Sequence, residues 1–255
     1  MVTKRALQRF EQYFTPMINK ENLIKKDDTN LQFLLSKAPK DKISSFKFES
    51  FNEVDFFEYG TTISIPNSIH SFVEFKPQSG IVSKIIVEEG VEFKLDFYAH
   101  SNTVVLLECE IQKNASCTIN GYYSAKEGKN WIYVQLLHRD EKSRSDLKVL
   151  GYCSNSAECI NDGLVQIGRK AHSSSGYQTM NNYILSNKVK IYSEPQLEIF
   201  NPNVECSHGC TISPIDTQVL HYLESRGLSC DEGIELMQDS MHSSFLERAG
   251  RLNEE

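Results

Sequence analysis

From residue 61 to residue 211 the chain is a succession of short apolar–polar alternations with no helical periodicity between them. Runs of this kind are Ile81 to Val87, Phe93 to Tyr98, Val104 to Ile111, Ser116 to Tyr123, Trp131 to Leu137 and Leu147 to Tyr152. Leu164 to Ile167, Tyr183 to Leu185, Val189 to Tyr192 and Gln196 to Phe200 continue the series. A period of two marks half-buried strands. Turn-forming pairs punctuate them: Glu89-Gly90, Asn120-Gly121, Gly128, Asp162-Gly163, Ser186-Asn187 and Asn201-Pro202-Asn203. Strands without intervening helices exclude a βαβ fold and leave a sandwich, a barrel or a β-solenoid. Repetition of one unit, an alternation followed by glycine or asparagine and then another alternation, favours stacked coils. At about 20 residues per coil the stretch holds roughly seven, with one core running along the stack.

The flanks read differently. Residues 3–14 place Leu7, Phe10 and Phe14 at helical spacing, with Lys4, Arg5, Gln8, Arg9 and Glu11 on the other side and Pro16 as the stop. Residues 20–60, rich in lysine and aspartate, read as irregular covering structure. After Thr211, Ser213, Pro214 and Asp216 form a helix start, Ile215, Val219, Leu220 and Leu223 an apolar stripe, and Gly227 a stop. Ser229 and Glu232 open a second helix whose stripe is Ile234, Met237, Met241 and Phe245. The expected division is therefore an N-terminal helical or irregular segment (1–60), a β-solenoid (61–211) and a C-terminal helical hairpin (212–255).

A net charge of −7 and a pI near 5.6 argue against nucleic acid as partner. No apolar run is long enough to span a membrane or to serve as a secretory h-region. Seven cysteines, an odd number without paired spacings, read as free thiols in a reducing compartment. Cytoplasm or a plastid-type stroma is the expected location.

Reactive groups concentrate at one place, Cys206, His208 and Cys210. In an extended segment these alternating positions share one face, presenting soft ligands for iron, zinc or persulfide sulfur. Three ligand-type residues on one strand face are too close together to chelate one ion with ideal geometry unaided, so two of them completed by a partner's ligands is the expectation. Cys109, Cys117, Cys153, Cys159 and Cys230 read instead as small core residues, and His221 as a helix residue that approaches the site or faces solvent. No G-x-S-x-G elbow, P-loop or H-E-x-x-H motif is present, which removes hydrolase, nucleotide-binding and zinc-protease readings.

Pro195-Gln196-Leu197-Glu198-Ile199 followed by Val204-Glu205-Cys206-Ser207-His208-Gly209 resembles the signature of the SufB/SufD scaffold family of iron–sulfur cluster assembly. Tyr222-Leu223-Glu224-Ser225-Arg226-Gly227-Leu228 resembles that family's C-terminal turn; Gln178-Thr179, Asn182, Leu185-Ser186 and Arg144-Ser145-Asp146-Leu147 also match. The resemblance implies a right-handed parallel β-helix with a C-terminal helical domain. It implies that the hairpin, through Tyr222, Leu223, Arg226 and Gly227, docks a SufC-like ABC ATPase. The β-helix would pair with a SufB-like subunit or a second copy of itself. Cys206 and His208 would lie near that interface and handle transient iron and sulfide, with Cys210 an additional metal ligand where the family carries a small residue. Met180 stands where the SufB branch has its sulfur-accepting cysteine, which places the chain on the SufD side. The implied role is a non-catalytic scaffold. Two other readings are a carbohydrate-active β-helix enzyme, with Asp96, Glu108 and Glu110 as its acidic residues, and a structural adaptor with inert thiols.

Overall fold

The computed structural model describes residues 62–77 and 80–249, together with three strands nearer the N-terminus: β1 (Pro16–Met17), β2 (Ile43–Phe48) and β3 (Phe51–Phe57). The helix expected at 3–14 lies outside the described residues. Strands β2 and β3 pair antiparallel, and β1 pairs with β2, so part of the segment read as irregular is sheet. Phe46 and Phe48, like Val54 and Phe56, stand two apart, a period concealed by the surrounding lysines and acids.

From residue 62 the chain winds as a parallel β-solenoid of about five turns. One wall is β4 (Thr62–Ile65), β6 (Gly80–Val87), β8 (Val104–Ile111), β10 (Lys129–His138), β12 (Glu158–Ile167) and β14 (Lys190–Ile199). The other is β5 (Ile69–Phe75), β7 (Glu92–Ala99), β9 (Ser116–Ala125), β11 (Arg144–Cys153), β13 (Ser174–Ile184) and β15 (Val204–Pro214). Each wall is a six-stranded sheet in chain order, and every neighbour within it is parallel and in register.

The coils are longer than the alternation suggested. Ile85 pairs with Cys109, 24 residues on, whereas Val165 pairs with Leu197, 32 residues on. Strands lengthen along the stack, from four residues in β4 to ten in β14 and from seven in β5 to eleven in β15. Two of the presumed turns are not turns. Asn120-Gly121 lies inside β9 and Asp162-Gly163 inside β12. A Cβ on Gly121 would overlap the Phe97 ring, and one on Gly163 the Met180 and Gln178 side chains. Gly121 makes room for a ring of the neighbouring coil, and Gly163 for side chains reaching across the lumen from the facing wall. Val189 to Tyr192 and Gln196 to Phe200, read as two runs, fall on the single strand β14 except for Val189 and Phe200 just beyond its ends. Pro195 is tolerated inside it because β14 is the outermost strand of its wall and has only β12 to pair with.

The true corners are set by backbone conformation. One series of bends uses Gly90, Asn114, Lys142 and Ser173 in the left-handed region, the opposite series Asn102, Gly128 and Asn155. The first four amides donate to the carbonyls of Lys113, Glu141, His172 and Asn203 on the following coil, at 2.8–3.1 Å. Each bend thereby satisfies a polar group that would otherwise be lost at the corner.

Inside, Val105, Leu107, Cys109 and Ile111 on β8 stack on equivalent residues of neighbouring coils in one continuous core. Cys117, Cys153 and Cys159 are buried there too. A polar island interrupts it at a corner. His138 Nδ1 bonds Ser143 Oγ at 2.7 Å, and Nε2 bonds Ser145 Oγ at 2.8 Å. Burial lowers the pKa of His138 from 6.5 to about 4. The unfolded chain therefore takes up a proton near pH 6.5 that the folded chain refuses until about pH 4. Stability is expected to fall as pH drops through that window, by about 3 kcal/mol, and to level off below it. Urea midpoints measured between pH 7 and pH 4 check this, and His138→Gln is expected to flatten the slope.

The C-terminal hairpin is α1 (Thr217–Ser225) and α2 (Cys230–Arg248). Asp216, not Ser213, caps α1, its side chain accepting from the Gln218 amide at 2.8 Å. Strand β15 stays in register with β13 through Pro214, so the chain cannot turn earlier. Ser229 and Glu232 form the expected capping box of α2. Helix α2 seats Phe245 and His242 on a tyrosine ladder: Phe245 stacks on Tyr122 at 5.6 Å, and Tyr152 stacks on Tyr183 at 5.0 Å. Gly233 of α2 faces Leu220 and Leu223 of α1, where the two helices meet. Helix α1 itself has no buried residue.

Candidate functional site

Register fixes where the soft-ligand row points. Gly176, Gln178, Met180 and Asn182 alternate inward on β13, and Cys206, His208, Cys210 and Ile212 of β15 stack directly upon them. The row therefore continues the lumen-facing side of the wall. Because β15 and β14 are the outermost strands, none of the described residues stacks beyond them. Groups that an interior coil would seal are left at the open mouth of the stack.

Exposure grades along the row. Cys206 is half-buried against the end of the core, and His208 and Cys210 are exposed. Desolvation raises the Cys206 pKa above 9.0, partly countered by a backbone hydrogen bond with Gly176. Cys210 Sγ lies 4.0 Å from the Ser193 carbonyl on the facing strand β14. Beneath His208, Gln178 Nε2 donates to the Gln196 carbonyl at 2.7 Å and ties the two walls together. Two residues of extended strand separate successive members, so Cys206 and Cys210 are about 13 Å apart at the backbone. The described residues contain no cluster of three or more His, Cys, Asp or Glu able to hold a metal ion. The row offers single ligands or a pair, open to completion from outside. Ile199, Phe200 and Ile212 are exposed around the same mouth.

The second group of expected site residues sits apart, on the hairpin turn. Gly227 has φ +97°, its amide donates to the Glu224 carbonyl at 2.9 Å, and the Leu228 amide donates to Leu223 at 3.3 Å. This paired closure ends α1 and needs a residue free of a Cβ. Arg226 lies over the Tyr222 ring at 5.2 Å, and Tyr222 is more than half exposed. Leu223 is half-buried between the helices, and His221 pairs with Glu224 on the solvent side. With Val219 and Leu236, Tyr222 leaves apolar surface uncovered.

The acidic residues considered for sugar chemistry do not assemble. Glu108 and Glu110 point outward from one wall, where Lys84 pairs with both. Asp96 points outward from the opposite wall, held by His70, Lys94 and Asn120. Sequence reasoning missed the interior network of Tyr123, Asn161 and Asn182 beneath β15. Tyr123 Oη donates to Asn182 Oδ1 at 2.6 Å, Asn161 Nδ2 to the same oxygen at 3.1 Å, and Asn182 Nδ2 to the Thr211 carbonyl at 3.2 Å. The asparagines at alternating, otherwise apolar positions were the available signal.

Comparison with known proteins agrees with this geometry. Residues 86–241 match the family model described as SUF system FeS cluster assembly, SufBD core domain. The iron–sulfur cluster assembly protein SufD of Escherichia coli is 34% identical over 76 residues, covering 30% of this chain and 18% of that protein. The SufBD family protein slr0076 of Synechocystis is 34% identical over 92 residues, 36% of this chain and 20% of the relative. The SufBD family protein ycf24 of Antithamnion is 32% identical over 120 residues, 46% and 38% respectively. The matched stretches thus span between 18% and 38% of these relatives. With the matched core covering most of a parallel solenoid and its helical hairpin, the chain belongs to the SufBD family of SUF-system iron–sulfur cluster assembly proteins and is SufD-like.

Proposed function

We propose that the chain is a non-catalytic scaffold subunit on which iron–sulfur clusters are assembled. It works with a SufC-like ATPase docked on the hairpin and a SufB-like subunit, or a second copy of itself, set against the mouth of the solenoid. The observation that carries this reading is the position of Cys206 and His208, on the lumen-facing side of a strand that no described residue covers. A thiol and an imidazole held on a rigid strand need a partner's ligands to close a coordination sphere. Iron and sulfide are the cargo, bound transiently: Cys206 takes iron or persulfide sulfur once deprotonated, and neutral His208 takes iron. Cys210 extends the row toward β14 as a further thiol donor.

The apolar surface that Val219 and Tyr222 of α1 leave exposed supports the motor assignment. ATP-driven movement of a motor on that hairpin would be transmitted through α2, which is anchored on the tyrosine ladder of the wall. The proposed domain division follows the same logic, with the solenoid carrying the assembly face and the residues after it the motor contact. No described helix is long and apolar enough to cross a membrane, and the proposed working place is the cytoplasm or a plastid-type stroma.

Anaerobic co-expression with the ATPase and the scaffold partner tests the proposal, with stoichiometry, iron and sulfide measured on one preparation. A stable complex containing iron and sulfide is expected. A chain that co-purifies with neither partner and carries neither element would refute the reading. Tyr222→Ala is expected to lower ATPase affinity by about tenfold, the loss of one exposed aromatic anchor, while leaving the helical signal unchanged. Leu223→Asp is expected to part α1 from α2 and abolish ATPase co-purification.

A further inference from the structure

Beside helix α2 the outer side of the β5–β15 wall is hollowed. A cleft of about 490 Å³ crosses β7, β9, β11 and β13, with Phe245 of α2 on one flank. Four neighbouring strands span about 14 Å, and the volume lies within the range of about 300–1,000 Å³ usual for small-molecule sites. The cleft is on the outer side of the wall, whereas the Cys206 and His208 row continues its lumen side.

Register sets the lining. Asp96, Asn120, Lys148 and Thr179 pair in line across the four strands and form one row along the floor. The next row toward the hairpin is Tyr122, Leu150 and Asn181, and Phe245 stacks on its tyrosine. At the β7 end the acidic charge is already neutralised. Asp96 is 1% exposed, bonded by His70, with Lys94 Nζ at 3.2 Å and Asn120 Nδ2 donating at 2.6 Å.

At the β11–β13 end the donors keep capacity. Lys148 gives one hydrogen bond to Asp146 at 2.7 Å, and an ammonium has three to give. Asn181 Oδ1 accepts from Thr211 Oγ1 at 2.9 Å, which leaves the NH2 of that amide. The Thr179 hydroxyl has no partner among the described residues. An ammonium, an amide NH2 and a hydroxyl thus stand on adjacent positions of two paired strands, with Leu150 and Phe245 as apolar surface beside them.

We infer that this cleft binds a small organic oxyanion. Lys148, Thr179 and Asn181 hold its carboxylate, sulfonate or phosphate group, and its apolar or aromatic body lies against Leu150 and Phe245. A cation would find at Asp96 a charge that Lys94 already balances. A purely apolar molecule would leave three donors facing it unpaired, a loss for each. Because Phe245 flanks the cleft, an occupant also holds α2 against the wall. The inference is independent of the cluster-assembly reading, since none of these residues belongs to the soft-ligand row or to the hairpin turn.

Anilinonaphthalenesulfonate, an aromatic body carrying one sulfonate, is the probe, titrated by fluorescence into the full chain. Lys148→Met, which keeps the aliphatic stem, is expected to weaken it about tenfold, the loss of one charge-assisted contact. Phenylnaphthylamine, the same body without the sulfonate, is expected to bind more weakly and to ignore that substitution. Inorganic phosphate, the charge without the body, is expected to compete only feebly. Since such dyes also adhere to exposed apolar surface, acetylation of individual lysines read by mass spectrometry locates the site. Bound probe is expected to slow acetylation of Lys148 several-fold while the exposed Lys126 and Lys188 react as before. Lys148 acetylated at one rate with and without the probe, or an affinity untouched by Lys148→Met, would overturn the inference. So would equal binding of the two dyes.

Discussion

Replacing Cys206 and His208 together by alanine is expected to leave the solenoid folded and to lower cluster formation in the reconstituted complex by on the order of tenfold or more, the range seen when metal affinity depends on one group. Neither side chain supports the fold in the way an interior residue does: Cys206 is half-buried at the end of the core and His208 is exposed. Circular dichroism and the urea midpoint should therefore barely move, while iron and sulfide retained per complex fall together. Cys210→Ala alone should have a smaller effect if the partner's ligands close around the Cys206 and His208 pair. Because burial raises the Cys206 pKa, the thiolate is the minor form at neutral pH. Sulfur or iron capture at this residue is expected to grow as pH rises toward 9 and to release a proton on binding. A double variant with ordinary cluster yield would remove the assignment.

Gly151→Val is expected to produce the largest loss of stability, about 4 kcal/mol. Gly151 faces the lumen between Tyr123 on one coil and Asn182 on the other, in register with both. The Tyr123 ring lies across it, in the space a Cβ would fill, to reach Asn182. The isopropyl group there must displace a fully buried ring, an overpacking cost of about 1–3 kcal/mol. It also breaks the Tyr123–Asn182 hydrogen bond, stranding buried polar groups at a further cost of about 1–3 kcal/mol. Tyr123→Phe loses only the second contribution and should cost about half as much. Denaturant midpoints of the two variants measured side by side decide the matter. Equal losses would mean that the ring relocates freely. The effect should also reach the site, because Asn182 holds the Thr211 carbonyl of β15.

How far the fold could be read from sequence depended on whether one residue carried one message. Val105, Leu107, Cys109 and Ile111 did: the alternation named a strand and its inward face, and the structure places all four in the core. Ser229 with Glu232 did too, since a capping box is a local device. The glycines carried two messages. Gly90 and Gly128 bend the chain at positive φ, whereas Gly121 makes room for a side chain of a neighbouring coil and Gly163 for side chains of the facing wall. Composition cannot separate these, because the second depends on a residue some twenty positions away. Corners built on Asn114, Lys142 and Ser173 gave still less signal, and the coil length was underestimated as a result. Of the candidate site, the alternation of Cys206, His208 and Cys210 was legible. That the shared face is the lumen face follows only from register with β13.

The gradual lengthening of the strands has a consequence for assembly. A stack that widens from four- and seven-residue strands to ten- and eleven-residue ones is a tapered cone. Its broad rim cannot be matched strand for strand by the narrow tip of another copy, so tip-to-rim polymerisation into filaments is geometrically discouraged. Rim-to-rim closure between two such cones meets no mismatch of girth and consumes both growing ends.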